Sequence, residues 1–307
     1  SFLLMKVGLE ALTAVQISAL RILSGAVVLL GLLFARGGRL PTGARVWGHL
    51  LVCGFFLGAL PFTLFALSET RISSALAGIG NAATPIATVL ATMAILPGER
   101  ATGRRLVAVG VGFLGVITIM QPWTATDRPD LVGFSMALIG GASYGIGWTY
   151  NRKFLSGVDL GGLSQPAATL TSALVLMVPF VVTWALLQPE GLAAIWAYDA
   201  AGVGDLPWLP LLCVLVLGVV GTGFAYMLQF DVVRGAGPVI GSTITYLIPV
   251  VSVLPGVLVL GEHLGPWRIV GFVIVLGAAF VINQKPAARP ATDATASTVG
   301  EVTTTAR

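Results

Sequence analysis

Long runs of apolar residues, separated by short polar breaks, fill most of this chain. A helix of about 20 apolar residues crosses the hydrocarbon core of a bilayer, and most of the runs approach or exceed that length. The pattern therefore predicts an all-α integral membrane protein. After an initial apolar run, the predicted spans are Val15–Phe34, Val46–Ser68, Ser73–Leu96, Leu106–Met120, Leu131–Asn151, Ala167–Leu187, Leu209–Phe230, Val239–Leu260 and Ile269–Asn283.

The initial run, Ser1–Leu12, is too short for a complete span. As a helix it would measure about 18 Å at ~1.5 Å per residue, whereas the hydrocarbon core is about 30 Å thick. We interpret it as the last part of a first transmembrane helix that is truncated here, which brings the predicted transmembrane helices to ten. After Lys285 the sequence turns to Ala, Thr, Pro and Ser, which predicts a disordered cytoplasmic tail over residues 285–307.

The charges of the loops predict the orientation. If the N-terminus is cytoplasmic, most Lys and Arg residues fall in cytoplasmic loops, and only Arg71, Arg128 and Arg268 fall in loops on the other side. This bias follows the positive-inside rule. The long loop Gln188–Pro207 contains neither Lys nor Arg, as expected of an outside loop. The chain is therefore predicted to be a multi-pass protein of the cell inner (plasma) membrane with a cytoplasmic C-terminus.

The composition argues against several classes of function. Charged residues make up 10% of the chain and hydrophobic residues 56%, whereas soluble domains carry about 25% charge. The net charge of +4 is spread over many short loops, so no nucleic-acid surface is expected. Cys53, Cys213, His49 and His263 have no ligand spacing, so we expect no metal and no cofactor. Catalytic clusters are also missing, which disfavours an enzyme.

Two regions of the chain resemble each other. Pro85 precedes a Gly-Glu pair that ends at Glu99, and Pro249 precedes a Gly-Glu pair that ends at Glu262. Each pair closes a predicted span. Because each half has five spans, an odd number, the two halves must face opposite ways across the membrane. Such inverted repeats are a hallmark of secondary transporters, whose substrate sites lie near the membrane midplane between the repeats.

The repeats are predicted over residues 1–121 and 131–284, and Gln16 in the first has a counterpart in Gln165 in the second. They contain the stretches ALSETRISSALAGIGNAATPIATVLATMAILPGE and GPVIGSTITYLIPVVSVLPGVLVLGE. On these stretches the chain resembles the EamA family of the drug/metabolite transporter superfamily. The resemblance implies a ten-helix protein with both termini in the cytoplasm that exports amino acids or other metabolites. It does not imply a particular substrate.

Two basic side chains lie within predicted spans. Lys6 lies four residues before Glu10, which places both on one helical face, and Arg21 lies five residues after Gln16. Lys6 is a candidate charge near the substrate pathway, and Arg21 can bind a substrate carboxylate through two hydrogen bonds. The alternative is that each extends its apolar stem to the membrane interface. Asp and Glu are absent from the depth of every predicted span, which disfavours a proton relay.

The matching prolines point to polar sites within the membrane. Asn81 lies four residues before Pro85, whose ring lacks the N–H group that the Asn81 carbonyl would accept in a regular helix. We predict that this carbonyl and the amide side chain line a substrate pathway, since interrupted helices mark transporter sites. Thr245 and Tyr246 occupy the matching place before Pro249. The alternative role of these polar groups is to hold helices together.

Aromatic side chains supply the remaining candidates. Tyr144 and Trp148 lie four residues apart in one predicted span and so share a helical face, and Tyr226 in another span can oppose them. This face is a candidate aromatic wall for an amphipathic or aromatic solute. Ordinary core packing or an interfacial aromatic belt would give the same pattern.

The leading hypothesis is therefore a secondary transporter that exports a small metabolite, such as an amino acid, by alternating access of its two halves. The alternative is a non-transporting structural or regulatory membrane subunit of another complex. The expected partners are a small-molecule substrate and the lipid bilayer. Gly-x-x-x-Gly spacing could also form the face of a homodimer.

Overall fold

The computed structural model describes residues 2–96, 103–121, 123, 130–199, 203, 205–246, 248 and 265–283. The described residues form helices and contain no β-strand. The helices are α1 (Phe2–Gly8), α2 (Ala14–Ala35), α3 (Ala44–Glu69), α4 (Ser74–Ala82), α5 (Thr84–Ile95), α6 (Gly103–Met120), α7 (Leu131–Leu155), α8 (Ser164–Leu186), α9 (Leu209–Ala236), α10 (Pro238–Ser242) and α11 (Pro266–Asn283).

Six stretches of helix are long and apolar enough to cross a membrane. They are α2, α3, α7, α8, α9 and the stretch Leu76–Ile95 of α4 and α5. Two shorter apolar helices, Leu106–Met120 and Ile269–Ile282, lie within α6 and α11. These findings confirm the all-helical membrane architecture that the apolar runs predict.

Some of the predictions fall outside the described residues. The predicted span Val239–Leu260 is described only as far as Tyr246, together with residue 248. The residues Glu99 and Glu262 that end the two Gly-Glu pairs lie outside the described residues, as do Pro249 and the tail 285–307.

Local sequence determines where several helices begin. Thr13 caps α2: its hydroxyl accepts the Gln16 N–H, with 3.3 Å between the heavy atoms, while the Gln16 side-chain oxygen accepts the Thr13 N–H at 2.8 Å. This reciprocal pair is a capping box, which satisfies two N–H groups that a helix end leaves without partners. Asp130 caps α7 in a simpler way, since its carboxylate accepts the Gly133 N–H at 2.9 Å.

Two of the long helices contain a π-helical segment. In α3 it covers Phe55–Ala59, and in α9 it covers Val219–Phe224. Pro61 follows the first segment and has no N–H group to donate to the carbonyl of Leu57, four residues earlier. The regular hydrogen-bond ladder of α3 is therefore interrupted at this point, where π-helical segments typically form.

Small residues bring α7 close to its neighbours. A side-chain carbon placed on Gly141 would lie 2.3 Å from the Gly80 carbonyl oxygen of α4, and one on Gly145 would lie 2.5 Å from the Thr88 nitrogen of α5. Both distances are far shorter than van der Waals contact, so only glycine permits this approach. Elsewhere in the bundle α2 packs against α8 and α9, and α6 packs against α11.

Contacts between loops define two ends of the molecule. At the first, which we call the basic end, the Ser164 hydroxyl donates to the carbonyl of Arg39 at 2.9 Å, and Arg234 donates to the carbonyl of Leu160 at 3.4 Å. At the second, which we call the opposite end, Arg71 forms an ion pair of 3.1 Å with Asp130. The opposite end also holds the N-terminus of α2 and a short 3₁₀ helix, Gly191–Ile195, in the loop between α8 and α9.

Candidate functional site

Arg21 lies in the interior of the helix bundle, on α2. Its side chain is almost fully buried, its Nε donates to the Thr222 hydroxyl of α9 at 2.8 Å, and its guanidinium carbon lies 3.8 Å from the ring centroid of Phe62 on α3. A buried cation next to an aromatic face gains a cation–π attraction. Among the described residues Thr222 is its one hydrogen-bond partner, and no carboxylate forms an ion pair with it. Its remaining N–H groups suit an anionic or carbonyl ligand.

Aromatic rings surround this arginine. The ring centroid of Phe62 lies 6.3 Å from that of Tyr144 on α7 and 6.1 Å from that of Tyr226 on α9. We call Arg21, Phe62, Tyr144, Thr222 and Tyr226 the central cluster. It draws side chains from four helices and combines one positive charge with flat apolar faces and hydroxyl groups.

The two π-helical segments each supply a polar atom to the central cluster. Thr222, the partner of Arg21, lies in the segment of α9. The carbonyl of Leu57 lies in the segment of α3, and it accepts a hydrogen bond from the Tyr226 hydroxyl. Pro61 explains why this carbonyl is open to a partner on another helix, because it removes the N–H group that would normally occupy it.

Trp148 belongs to the layer next to the central cluster. Its side chain is buried, and its ring centroid lies 4.9 Å from that of Phe230, which in turn lies 5.9 Å from that of Tyr226. The three predicted aromatic residues therefore lie in one region of the molecule. Tyr144 and Tyr226 both contact Phe62, whereas Trp148 reaches the cluster through Phe230.

Lys6 lies near the opposite end and contacts Glu69. Its Nζ donates to the Glu69 backbone carbonyl at 2.9 Å. The Glu69 side chain is fully buried, and although it lies near the Ser74 hydroxyl, neither carboxylate oxygen makes a well-formed hydrogen bond to a described residue. It also lies within electrostatic range of Arg21. Glu69 lies one residue beyond the predicted span Val46–Ser68, and the structure buries its carboxylate at the end of α3.

Asn81 has a different environment from the one expected. Its side chain is buried, and its Oδ1 lacks a hydrogen-bond partner among the described residues. Its main-chain carbonyl, which was expected to line a pathway, accepts a hydrogen bond of 2.7 Å from the Thr84 hydroxyl. That hydroxyl also donates to the carbonyl of Gly141 on α7 at 3.0 Å. The carbonyl that Pro85 leaves open is therefore occupied locally, at a contact between helices.

Thr245 and Tyr246 lie in another part of the core. The Tyr246 hydroxyl donates to the Val109 carbonyl of α6 at 2.7 Å, and its ring packs closely over Gly112. The Thr245 hydroxyl donates to the carbonyl of Ser242 at 2.8 Å. The structure thus places Tyr246 against α6, in a hydrophobic cluster separate from the one that contains Phe62 and Tyr226.

Three contributors to this region were missed from the sequence. Phe62 and Thr222 lie within long apolar runs, where a single phenylalanine or threonine carries no distinguishing pattern. One signal was available for Phe62, since it follows Pro61 in the middle of a span. Glu69 is flanked by Ser68 and Thr70, so its position at the edge of the apolar run concealed its burial.

The fold and the central cluster define a helical protein with membrane-length apolar helices and a buried arginine in its interior. The chain belongs to the EamA-like transporter family, whose profile matches residues 1–121 and 131–284. The resemblance drawn from the two sequence stretches is confirmed, and the chain is placed among membrane transporters.

Similar proteins cover nearly the whole chain. It is 22% identical over 298 residues to the "Uncharacterized inner membrane transporter YedA" of Escherichia coli K12, across 94% of this chain and 90% of that protein. It is 22% identical over 287 residues to the "Probable amino-acid metabolite efflux pump" of the same bacterium, across 92% and 89%. A solved crystal structure superposes with a TM-score of 0.66 at 20% identity, over 92% of this chain and 94% of that one. This last likeness shows the fold alone.

Proposed function

We propose that this protein is a secondary transporter of the cell inner membrane that exports a small metabolite, such as an amino acid, with the central cluster as its substrate site. The observation that carries the proposal is Arg21, a buried cation whose described polar contact is a single bond to Thr222. A buried charge is costly unless it is paired, and in transporters such residues mark substrate pathways. The names of the two E. coli relatives agree with this class of function.

An amino acid has the groups that this region can bind. Its carboxylate suits the bidentate geometry of the Arg21 guanidinium. Its amino group suits a carboxylate, and Glu69 is buried within electrostatic range of Arg21. The rings of Phe62, Tyr144 and Tyr226 offer apolar faces to a side chain.

Alternating access between two inverted five-helix repeats, over residues 1–121 and 131–284, is the mechanism that we propose. The packing supports it. The π-helical segment of α3 packs against α8, and the π-helical segment of α9 packs against α2. Gln16 and Gln165 lie in the first turns of α2 and α8. A two-fold relation between the halves would produce these matched pairs.

Arg21 has no charged counterpart at the corresponding position of the second half. It lies five residues after Gln16, and the residue five positions after Gln165 is Leu170, which is fully buried. A leucine can therefore fill the corresponding position in the core, so the fold itself does not call for a charge there. This difference supports a role for Arg21 in binding rather than in folding.

The test is counterflow in proteoliposomes with a pooled panel of labelled amino acids and related metabolites. We expect saturable exchange of one solute by the full chain. Arg21→Leu should abolish that exchange, and Arg21→Lys should reduce it by at least about tenfold, because lysine keeps the charge but loses the fork of donors.

Arg71→Lys is the matched control, since Arg71 lies in an exposed ion pair at the opposite end. It should exchange as the unmodified protein does. Exchange by Arg21→Leu at the unmodified rate would contradict the central cluster as the substrate site. A folded protein that exchanges none of the panel and purifies with a stoichiometric partner would favour the alternative, a structural or regulatory subunit.

A further inference from the structure

A cavity of about 410 Å³ lies at the basic end, between the C-termini of α7 and α9 and the N-terminus of α8. Its polar lining consists of Asn151, Arg152, Ser156, Asp159, Gln165 and Arg234. The volume is large enough for a small organic molecule. None of these residues belongs to the central cluster.

Two buried amides, of Asn151 and Gln165, line this cavity. The Gln165 Nε2 donates to the Asn151 Oδ1 at 3.0 Å, and both side chains are more than nine-tenths buried. The Asn151 Nδ2 has no hydrogen-bond partner among the described residues. A buried N–H donor without an acceptor is costly, so this group favours a ligand that brings an oxygen acceptor.

Two arginines and one acid line the cavity around the amides, and one of the arginines, Arg234, also pairs with Asp231 at 3.2 Å. Arg152 and Arg234 line the cavity together with a single acid, Asp159. Arg234 also donates to the carbonyls of Leu160 and Gly162, which fixes the loop that forms the cavity wall. The N-terminus of α8 carries no side-chain cap, and its partial positive charge lies on the same side.

We propose that this cavity binds the oxyanion group of a small solute, a carboxylate or a phosphate, with the Asn151 Nδ2 as a donor. In a transporter of the kind proposed above, it is the first binding site for solute arriving from the side of the basic end. Phe230 links it to the central cluster, because Phe230 lines the cavity and its ring centroid lies 5.9 Å from that of Tyr226. The role in transport rests on the proposed function, whereas oxyanion binding does not.

Calorimetric titration of the full chain in phosphatidylcholine nanodiscs tests the proposal, with inorganic phosphate and acetate as probes. Asn151→Asp keeps the acceptor for Gln165 but replaces the donor by a negative charge. It should weaken the binding of both probes by at least about tenfold, as expected for loss of a hydrogen bond to a charged group. Asp159→Asn removes the one acid and should strengthen binding about threefold.

Two variants at the opposite end control for net charge. Gln188→Glu adds a negative charge and Glu190→Gln removes one, and neither should change the affinity for phosphate. Unchanged binding in Asn151→Asp, or an equal loss in Gln188→Glu, would overturn the oxyanion site. Because Asp159 is exposed, the gain expected from Asp159→Asn does not depend on how well Asn151→Asp folds.

The source of the oxyanion is tested in the same nanodiscs. A few per cent of phosphatidylglycerol should leave phosphate affinity unchanged if the site serves soluble solutes. Competition by this lipid would support the oxyanion chemistry but overturn the role as a first solute site. Phosphate binding without any counterflow would leave the oxyanion site standing and contradict the transport proposal. Counterflow without binding of either probe would contradict the oxyanion site and leave the transport proposal standing.

Discussion

The two ends of the molecule use the same residue type in opposite ways. At the opposite end, Gln16 donates to the carbonyls of Ala194, Ile195 and Ala197 at 3.0, 3.3 and 2.6 Å, and so ties the 3₁₀ loop to α2. At the basic end, Gln165 makes one bond, to Asn151, beside an open cavity.

This difference shows how one position in a helix can close a surface or leave it open. A primary amide has two donors and two acceptor lone pairs, and its effect depends on how many of them a loop can satisfy. The opposite end has a long loop, and the Asp199 N–H on that loop donates to the Ala11 carbonyl at 3.1 Å. Among the described residues, the loop at the opposite end is therefore tied to α2, whereas the basic end contains a cavity. A transporter that works by alternating access must also adopt a conformation in which this loop is released from α2 and the cavity at the basic end is closed.

The largest expected effect comes from fixing this loop to α2. In Gln16→Cys/Ala197→Cys, a short thiol-reactive cross-linker would join α2 to the loop. If the loop must leave α2 for solute to pass, cross-linking should abolish counterflow and a cleavable linker should restore it. The natural residues Cys53 and Cys213 are buried and can stay in place.

A double variant within the loop controls for the chemistry of the cross-linker. In Glu190→Cys/Ala197→Cys both thiols belong to the loop, so their cross-link leaves α2 free to separate. Counterflow should continue. The idea that the loop must leave α2 would be wrong if both double variants lost counterflow equally. It would also be wrong if counterflow continued after complete cross-linking of Gln16→Cys to Ala197→Cys.

A smaller effect is expected on stability. Gln16→Ala removes the side chain from several buried hydrogen bonds and from the capping box, and should lower the free energy of unfolding by about 2–3 kcal/mol. Gln165→Ala removes the single hydrogen bond to Asn151 and should cost about 1 kcal/mol. Reversible unfolding in mixed micelles measures both. Equal losses would mean that the bonds between Gln16 and the loop contribute nothing to stability.

The smallest effect concerns the exposed cap of α7. The Gly133 N–H and the nearby Arg71 guanidinium lower the pKa of the Asp130 carboxyl. The group therefore contributes its full stabilisation above the ordinary aspartate pKa of about 3.9, and loses it as the pH falls through the lower pKa of the folded state. Asp130→Ala should lower the Tm slightly at pH 7 and less at pH 3. A loss that is independent of pH would assign the effect to helix propensity instead of to the charge.

Much of the architecture followed from hydrophobic pattern alone, because a bilayer leaves the backbone few ways to satisfy its hydrogen bonds. The candidate site followed less completely. Arg21 stood out as a charge in an apolar run, and Tyr144 and Tyr226 were expected to oppose each other. The sequence did not predict that Phe62 contacts Arg21 or that Tyr246 packs against α6. Which ring a helix presents to which neighbour depends on packing across the bundle, and side-chain spacing along one helix does not specify it.

Pro61 has no backbone N–H group, and this absence links the shape of α3 to the position of α9. The Leu57 carbonyl accepts a hydrogen bond from the Tyr226 hydroxyl. It does so at the point where the regular hydrogen-bond pattern of α3 is interrupted. The irregularity of α3 is therefore also the point at which α9 is held. A substitution that supplies an N–H at this position offers Leu57 a donor on its own helix, in competition with the tyrosine. Two helices that lie far apart in the sequence are thus joined through Tyr226, a member of the central cluster.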